Sequence, residues 1–174
     1  MEMGPETLKE RASLARERLK ACDLCPRECG VDRLAGELGY CGLDGRLGDG
    51  DIDPDAVFVS NAMPHFGEED CLVGRNGSGT VFFSGCNLTC LFCQNAEISQ
   101  GGEGRWISLD RLASLFLDLD RRGCHNLNIV TPTHFVAQLL QALAIAAEKG
   151  FDRPLVYNCG GYESIQTLKC IEGV

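Results

Sequence analysis

Between Thr80 and Cys170 the chain alternates short apolar runs with amphipathic segments of helical period. Thr80-Val81-Phe82-Phe83-Ser84, Leu127 to Val130 and Leu155 to Tyr157 read as strands. Consecutive β-branched and aromatic residues in the first of these indicate a strand covered on both faces. Ser108 to Arg122 reads as a helix, with Ser108 as N-cap and Leu112, Leu115, Phe116 and Leu119 on one face. Arg121 and Arg122 suit its negative end, and Gly123 its stop. Thr131-Pro132 opens the next helix, with Thr131 as N-cap and Pro132 in the first turn. Phe135, Leu139, Ala142 and Ala146 form its apolar side, and Gly150 ends it. Gly160 and Gly161 turn the chain into a third helix, Glu163 to Cys170. Strand–helix alternation implies right-handed crossovers and parallel strands, so the fold class is α/β.

The first part of the chain is organised differently. Pro5 to Lys20 has Leu8, Ala12, Ala15 and Leu19 at helical spacing. Ala21 to Asp55 is rich in Gly, Cys and Asp and has little periodicity, so it lacks the apolar residues to order itself and a bound metal is a natural staple. Ala56 to Val59 is a short strand candidate, and Gly74 to Gly79 a turn. These shifts divide the chain into an N-terminal helix and Cys-rich segment, residues 1–73, and a strand–helix core, residues 74–174.

Hydrophobic residues are 44% and charged residues 24%, a globular balance with no apolar run long enough for a membrane span. Met1 to Lys20 is charged and lacks the apolar centre of a secretory signal, so the expected location is the cytoplasm. The net charge of −9, without a basic stripe, argues against nucleic-acid binding. Eleven cysteines in such a chain are not structural disulfides; their spacing decides their role.

Directly after the first strand of the core stands Cys86-Asn87-Leu88-Thr89-Cys90-Leu91-Phe92-Cys93, spaced Cys-x3-Cys-x2-Cys. Three thiolates on a short loop can wrap one face of a [4Fe–4S] cubane and leave the fourth iron open to a cofactor or substrate. The alternative is zinc, which prefers four ligands, with His65 or Cys71 as the fourth. In parallel α/β folds reactive groups sit beyond the C-terminal ends of the strands, as this loop does.

The run CNLTCLFC resembles the signature of the radical S-adenosylmethionine (SAM) superfamily. CDLCPRECGVDR, GELGYCG, MPHFGEE, GSGTVFFSGCNLTCLFCQN, NIVTPTHF and YNCGGYES are similar to a branch related to pyruvate formate-lyase activating enzyme. The resemblance implies a partial (β/α) barrel, a [4Fe–4S] cluster on Cys86, Cys90 and Cys93, and SAM on the open iron. It implies reductive cleavage of SAM to a 5′-deoxyadenosyl radical and an electron donor such as a flavodoxin or ferredoxin; a protein substrate is one option, and activity on a glycyl radical enzyme does not follow from the resemblance. Phe92, before the last cysteine, inherits a place beside the adenine. About three strand–helix units fit between Thr80 and Val174, where the family core has six, so the reading is of a C-terminally truncated fragment. An inactive fragment or a non-catalytic zinc or iron–sulfur module is the competing reading.

Further candidates surround the loop. Cys22, Cys25, Cys29 and Cys41 form a four-thiolate set suited to zinc, an auxiliary iron–sulfur cluster or rubredoxin-like iron, or left as unligated thiols. Gly101-Gly102-Glu103 mimics a SAM-binding motif of the family but lies in the wrong place and reads as a loop. The matching position holds Thr131, Thr133 and His134, candidates for SAM whose plainer roles are a cap and a helix-surface histidine. Asn158 ends the third strand on the same side. Gln94 and Asn95 either contact the cluster or SAM, or cap a helix.

Overall fold

The structure is a computed structural model that describes residues 3–42, 46–47 and 51–174. Helix α1 (Pro5–Glu17) begins with proline in its first turn and runs into a 3-10 turn, Arg18–Ala21. Leu8, Ala12, Ala15 and Leu19 are all buried, as their spacing predicts. Two short strands follow, β1 (Arg46–Leu47) and β2 (Asp51–Ile52), paired antiparallel. Then come β3 (Val57–His65), α2 (Asp70–Val73), β4 (Ser78–Phe83), α3 (Ala96–Ser99), β5 (Arg105–Ile107) and α4 (Leu109–Arg121). The chain continues through β6 (Leu127–Val130), α5 (Val136–Glu148), β7 (Leu155–Asn158) and α6 (Ile165–Ile171).

Five strands make one sheet in the order β5-β3-β4-β6-β7. The three strands expected from the alternation, β4, β6 and β7, are parallel neighbours. The sheet is nevertheless mixed, because β3 runs antiparallel to both β4 and β5. The strand expected at Ala56–Val59 is far longer than its apolar run: beyond Val59 it continues through a bulge to His65, held by pairing with β4. Pro64 is tolerated there because β5 pairs only with Val57 to Val59, so Pro64 faces no second ladder. The first 73 residues thus contribute a strand to the sheet and a helix, α1, that packs along α5.

Alternation along the strands gives the sheet two faces. Val81, Phe83, Leu127 and Ile129 join the core under the helices, with Leu112, Phe116, Leu139 and Leu143. Phe83 lies 5.5 Å from Phe135, which meets the edge of Trp106 at 6.2 Å, and Trp106 stacks on Phe58 at 5.0 Å. These rings join the helix layer to the short strand β5. On the other face Ser78 donates to Asn126 Oδ1 at 2.6 Å, and Asn126 Nδ2 donates to the Leu72 carbonyl at 2.9 Å. Those bonds fasten the α2 segment to the sheet.

The α4 helix ends as expected. Ser108 Oγ accepts from the Arg111 amide at 3.3 Å, and Gly123 takes a left-handed φ of +82° past the C-terminus. The helix after β6 does not start where expected. Thr131 is not its N-cap: it has φ +56°, and its amide donates to the Asn158 carbonyl at 2.8 Å, which extends the parallel ladder by one step. The chain then passes through Pro132 and a 3-10 turn, Thr133–Phe135, before α5 begins at Val136. Among the described residues no helix is long and apolar enough to cross a membrane.

Candidate metal and cofactor site

The Cys86 loop leaves β4 under tight control. The Ser84 amide donates to the Phe58 carbonyl at 2.8 Å, and the Gly85 amide to the Ile98 carbonyl at 3.2 Å. Asn87 is 2% exposed and donates from Nδ2 to the Tyr162 carbonyl at 2.7 Å. Leu88 is seated against the turn after β7, where a side chain at Gly160 would place its Cβ 2.8 Å from Leu88 Cδ1. The Cys93 amide donates to the Cys90 carbonyl at 3.2 Å, and Gln100 Nε2 to the same carbonyl at 3.3 Å.

Cys86, Cys90 and Cys93 are all half-buried thiols. Burial pushes the Cys86 thiol up, and the neighbouring Cys93, Cys90 and Cys41 add to this, while the Leu88 amide, 3.3 Å from Sγ, pulls it down. A cationic iron–sulfur core would relieve that opposition to the ionisation of Cys86. Among the described residues no three His, Cys, Asp or Glu side chains are gathered as ligands of one metal ion. A cubane spreads its thiolates over three irons, so its ligands need not meet at one point. Three thiols on one short loop are the donor type such a cluster takes.

Beside the loop lies a cavity of about 590 Å³, within the range of small-molecule sites. Cys90, Cys93, Phe92, Gln94, Asn95, Thr131 and Asn158 line it, so one wall collects seven of the residues singled out in the sequence. Phe92 is 91% exposed, an aromatic face with no partner ring among the described residues. Cys86 opens on the other side, into a smaller cavity of about 260 Å³ shared with Tyr40, Cys41 and Thr89.

Thr133 and His134 are placed elsewhere. Thr133 is buried and donates to Glu163 Oε1 at 2.6 Å; Glu163 also accepts from the Tyr157 hydroxyl at 3.3 Å. Burial, then the Glu163 charge, pushes that phenol well up. His134 lies beneath the loop, not on the cavity wall, and its Nε2 donates to the Ser84 carbonyl at 2.9 Å. Its carbonyl accepts from Arg33 Nη1 at 2.6 Å. Burial, with Arg33 nearby, pushes its pKa down to about 3, so the ring stays neutral. His125, too, is structural, its Nε2 accepting from the amides of Arg75 and Asn76 at 3.1 and 3.3 Å.

Sequence reasoning named His65 only as an alternative zinc ligand and missed Glu68, and both are cavity residues. Their side chains meet at 3.2 Å between His65 Nδ1 and Glu68 Oε1, and both line the larger cavity with Cys159. Only the long antiparallel β3 brings them there, and no periodic signal marks it.

Cys22, Cys25, Cys29 and Cys41 also come together, around a space of about 20 Å³ walled by Arg33 and His134. A Cβ at Gly39 would lie 3.8 Å from both Cys29 Sγ and Cys41 Sγ. Cys29 Sγ accepts from the Tyr40 amide at 3.4 Å. Burial first, then the other three thiols, pushes Cys25 up, with the Arg27 amide opposing.

A family model described as the radical SAM superfamily matches residues 80–169, just over half of the chain. An uncharacterised protein of Methanocaldococcus jannaschii is 28% identical over 98% of this chain and 47% of its own length. The chain thus spans about half the length of the curated relative it matches. No solved structure matches it.

Proposed function

From the premise that this chain belongs to the radical SAM superfamily, we propose that it carries a [4Fe–4S] cluster on Cys86, Cys90 and Cys93 and uses it to cleave SAM. The observation that supports this best is the Cys-x3-Cys-x2-Cys loop at the C-terminal end of β4, with Cys90 and Cys93 opening onto a cavity large enough for SAM. When bound, cluster and SAM together supply a one-electron cleavage that yields a 5′-deoxyadenosyl radical. The chain's own residues bind, orient and exclude water. Phe92 offers a face for the adenine. Gln94, Asn95, Thr131 and Asn158 offer hydrogen bonds from the same wall.

The finer reading is an activase-like enzyme that takes electrons from a ferredoxin or flavodoxin and acts on a protein glycine; its support is the set of sequence motifs alone. A second metal at Cys22, Cys25, Cys29 and Cys41 belongs to the same proposal. The space among these sulfurs, about 20 Å³, has room for little more than one water-sized sphere. No three of these side chains are gathered as ligands of one ion among the described residues, so the support for a second metal is the four-cysteine set in the sequence.

Anaerobic reconstitution with iron and sulfide tests this. The expected result is a brown protein that forms 5′-deoxyadenosine from SAM and dithionite, with one further equivalent of zinc or iron lost when the N-terminal cysteines are replaced. A colourless protein holding zinc alone on Cys86, Cys90 and Cys93 would overturn the reading.

A further inference from the structure

The cysteine-rich segment grips the Cys86 loop directly. Arg27, between Cys25 and Cys29, donates from Nε to the carbonyl of Asn87, the residue after Cys86, at 3.0 Å. Its guanidinium lies 3.7 Å from the centre of the Tyr40 ring and 5.4 Å from that of Tyr162. Tyr40, next to Cys41, brings its hydroxyl within 3.0 Å of Thr89 Oγ1, the residue before Cys90. Tyr162 completes the enclosure: its carbonyl accepts from Asn87 Nδ2 at 2.7 Å, and its hydroxyl donates to the Pro26 carbonyl at 3.4 Å.

Two properties follow from this arrangement. Two aromatic faces and a carbonyl fix the guanidinium, so the loop carries an oriented positive charge. Arg27 is also half-buried, where solvent screens a charge less than on an open surface. The Tyr40–Thr89 bond restrains the second half of the same loop.

We propose that Arg27 is a positioning residue for the cluster on Cys86, Cys90 and Cys93: it sets the reduction potential by favouring the more negative, reduced form, and with Tyr40 it holds the loop in shape for its ligands. The inference rests on the radical SAM reading above. Its physical basis is that the potential of an iron–sulfur cluster follows local charge, hydrogen bonding and exposure, and a cation attracts the added electron. An arginine that merely stiffened the surface would leave the potential unmoved.

The test uses the full chain, reconstituted anaerobically with iron and sulfide and titrated reductively under EPR. Arg27→Gln is expected to bind iron as the wild type does but to reduce at a more negative potential, with Arg27→Lys staying near the wild type. An Arg27→Gln midpoint equal to that of the wild type, at equal iron content, overturns the proposal. Should Arg27→Gln take up too little iron to titrate, Tyr40→Phe and Thr89→Val decide. Each is expected to release iron to a chelator about threefold to tenfold faster than the wild type, the effect of one neutral hydrogen bond. The double variant should be no faster than either. Release at the wild-type rate from both single variants overturns the clamp. A wild-type chain that takes up no cluster sinks the radical SAM reading itself, whereas a normal wild-type cluster beside unchanged variants sinks only this inference.

Discussion

His134 Nε2 sits 2.9 Å from the carbonyl oxygen of Ser84, two residues before the first cysteine of the loop. The carbonyl can only accept, so Nε2 carries the proton, while Nδ1 is buried with no hydrogen-bond partner among the described residues. A second proton would have to enter at Nδ1, in a buried site near Arg33. The unfolded chain takes that proton near the ordinary value of 6.5, but the folded chain resists it down to about 3. The unfolded state therefore binds more protons across this window, and stability is lost as pH falls from about 6.5 towards 3. Denaturant midpoints of the metal-free chain at pH 7 and pH 5 should show that loss, and His134→Gln should show a smaller one. Equal slopes in the two proteins would contradict the assignment.

Replacing Cys86, Cys90 or Cys93 singly by alanine should abolish cluster retention and 5′-deoxyadenosine formation, because two thiolates cannot hold a cubane face. Replacing Cys71 or Cys124, which line neither cavity beside the loop, should leave iron content unchanged. Iron and sulfide analysis after desalting reads both outcomes.

Phe92→Ala should weaken SAM binding while keeping the cluster. Base–aromatic stacking contributes about 1–3 kcal/mol, and Phe92 is the exposed ring on the cavity wall. Equilibrium dialysis with SAM measures the loss. A variant that binds as tightly as the wild type would place the adenine elsewhere.

Phe135→Ala should destabilise the fold by about 3–5 kcal/mol, the usual loss for a buried aromatic. Phe135 is fully buried and bridges Phe83 on β4 to Trp106 on β5. Thermal or urea unfolding gives the magnitude, and a loss below about 1 kcal/mol would indicate a core that collapses around the gap.

What was legible in the sequence is what local physics decides. Leu127 to Val130 is a strand with the bounds its apolar run gives, and Ser108 and Gly123 bracket α4 because caps are local chemistry. Cys90, Phe92, Cys93, Gln94 and Asn95 share one cavity wall because they are contiguous in the chain. Non-local pairing was not legible. β3 reaches His65 only because β4 lies beside it, and three residues around Trp106 become a strand only against Val57 to Val59. Thr131 looked like a cap, yet the Asn158 carbonyl claims its amide and draws it into the left-handed region. His134 looked exposed on a helix, but the 3-10 turn rotates it beneath the loop.

The anchors of the Cys86 loop come from far along the chain in both directions. Arg27 is 60 residues before Asn87, and Tyr162 is 75 residues after it. Neither local propensity nor the loop's own sequence can hold these sulfurs in register until both flanks have docked, and closing such long chain segments costs entropy that only the finished core offsets. On the proposed reading, a cluster would be loaded only after the chain has folded. Cells that make the polypeptide faster than they fold it would accumulate a chain whose thiols are all present but have no shared place to hold metal.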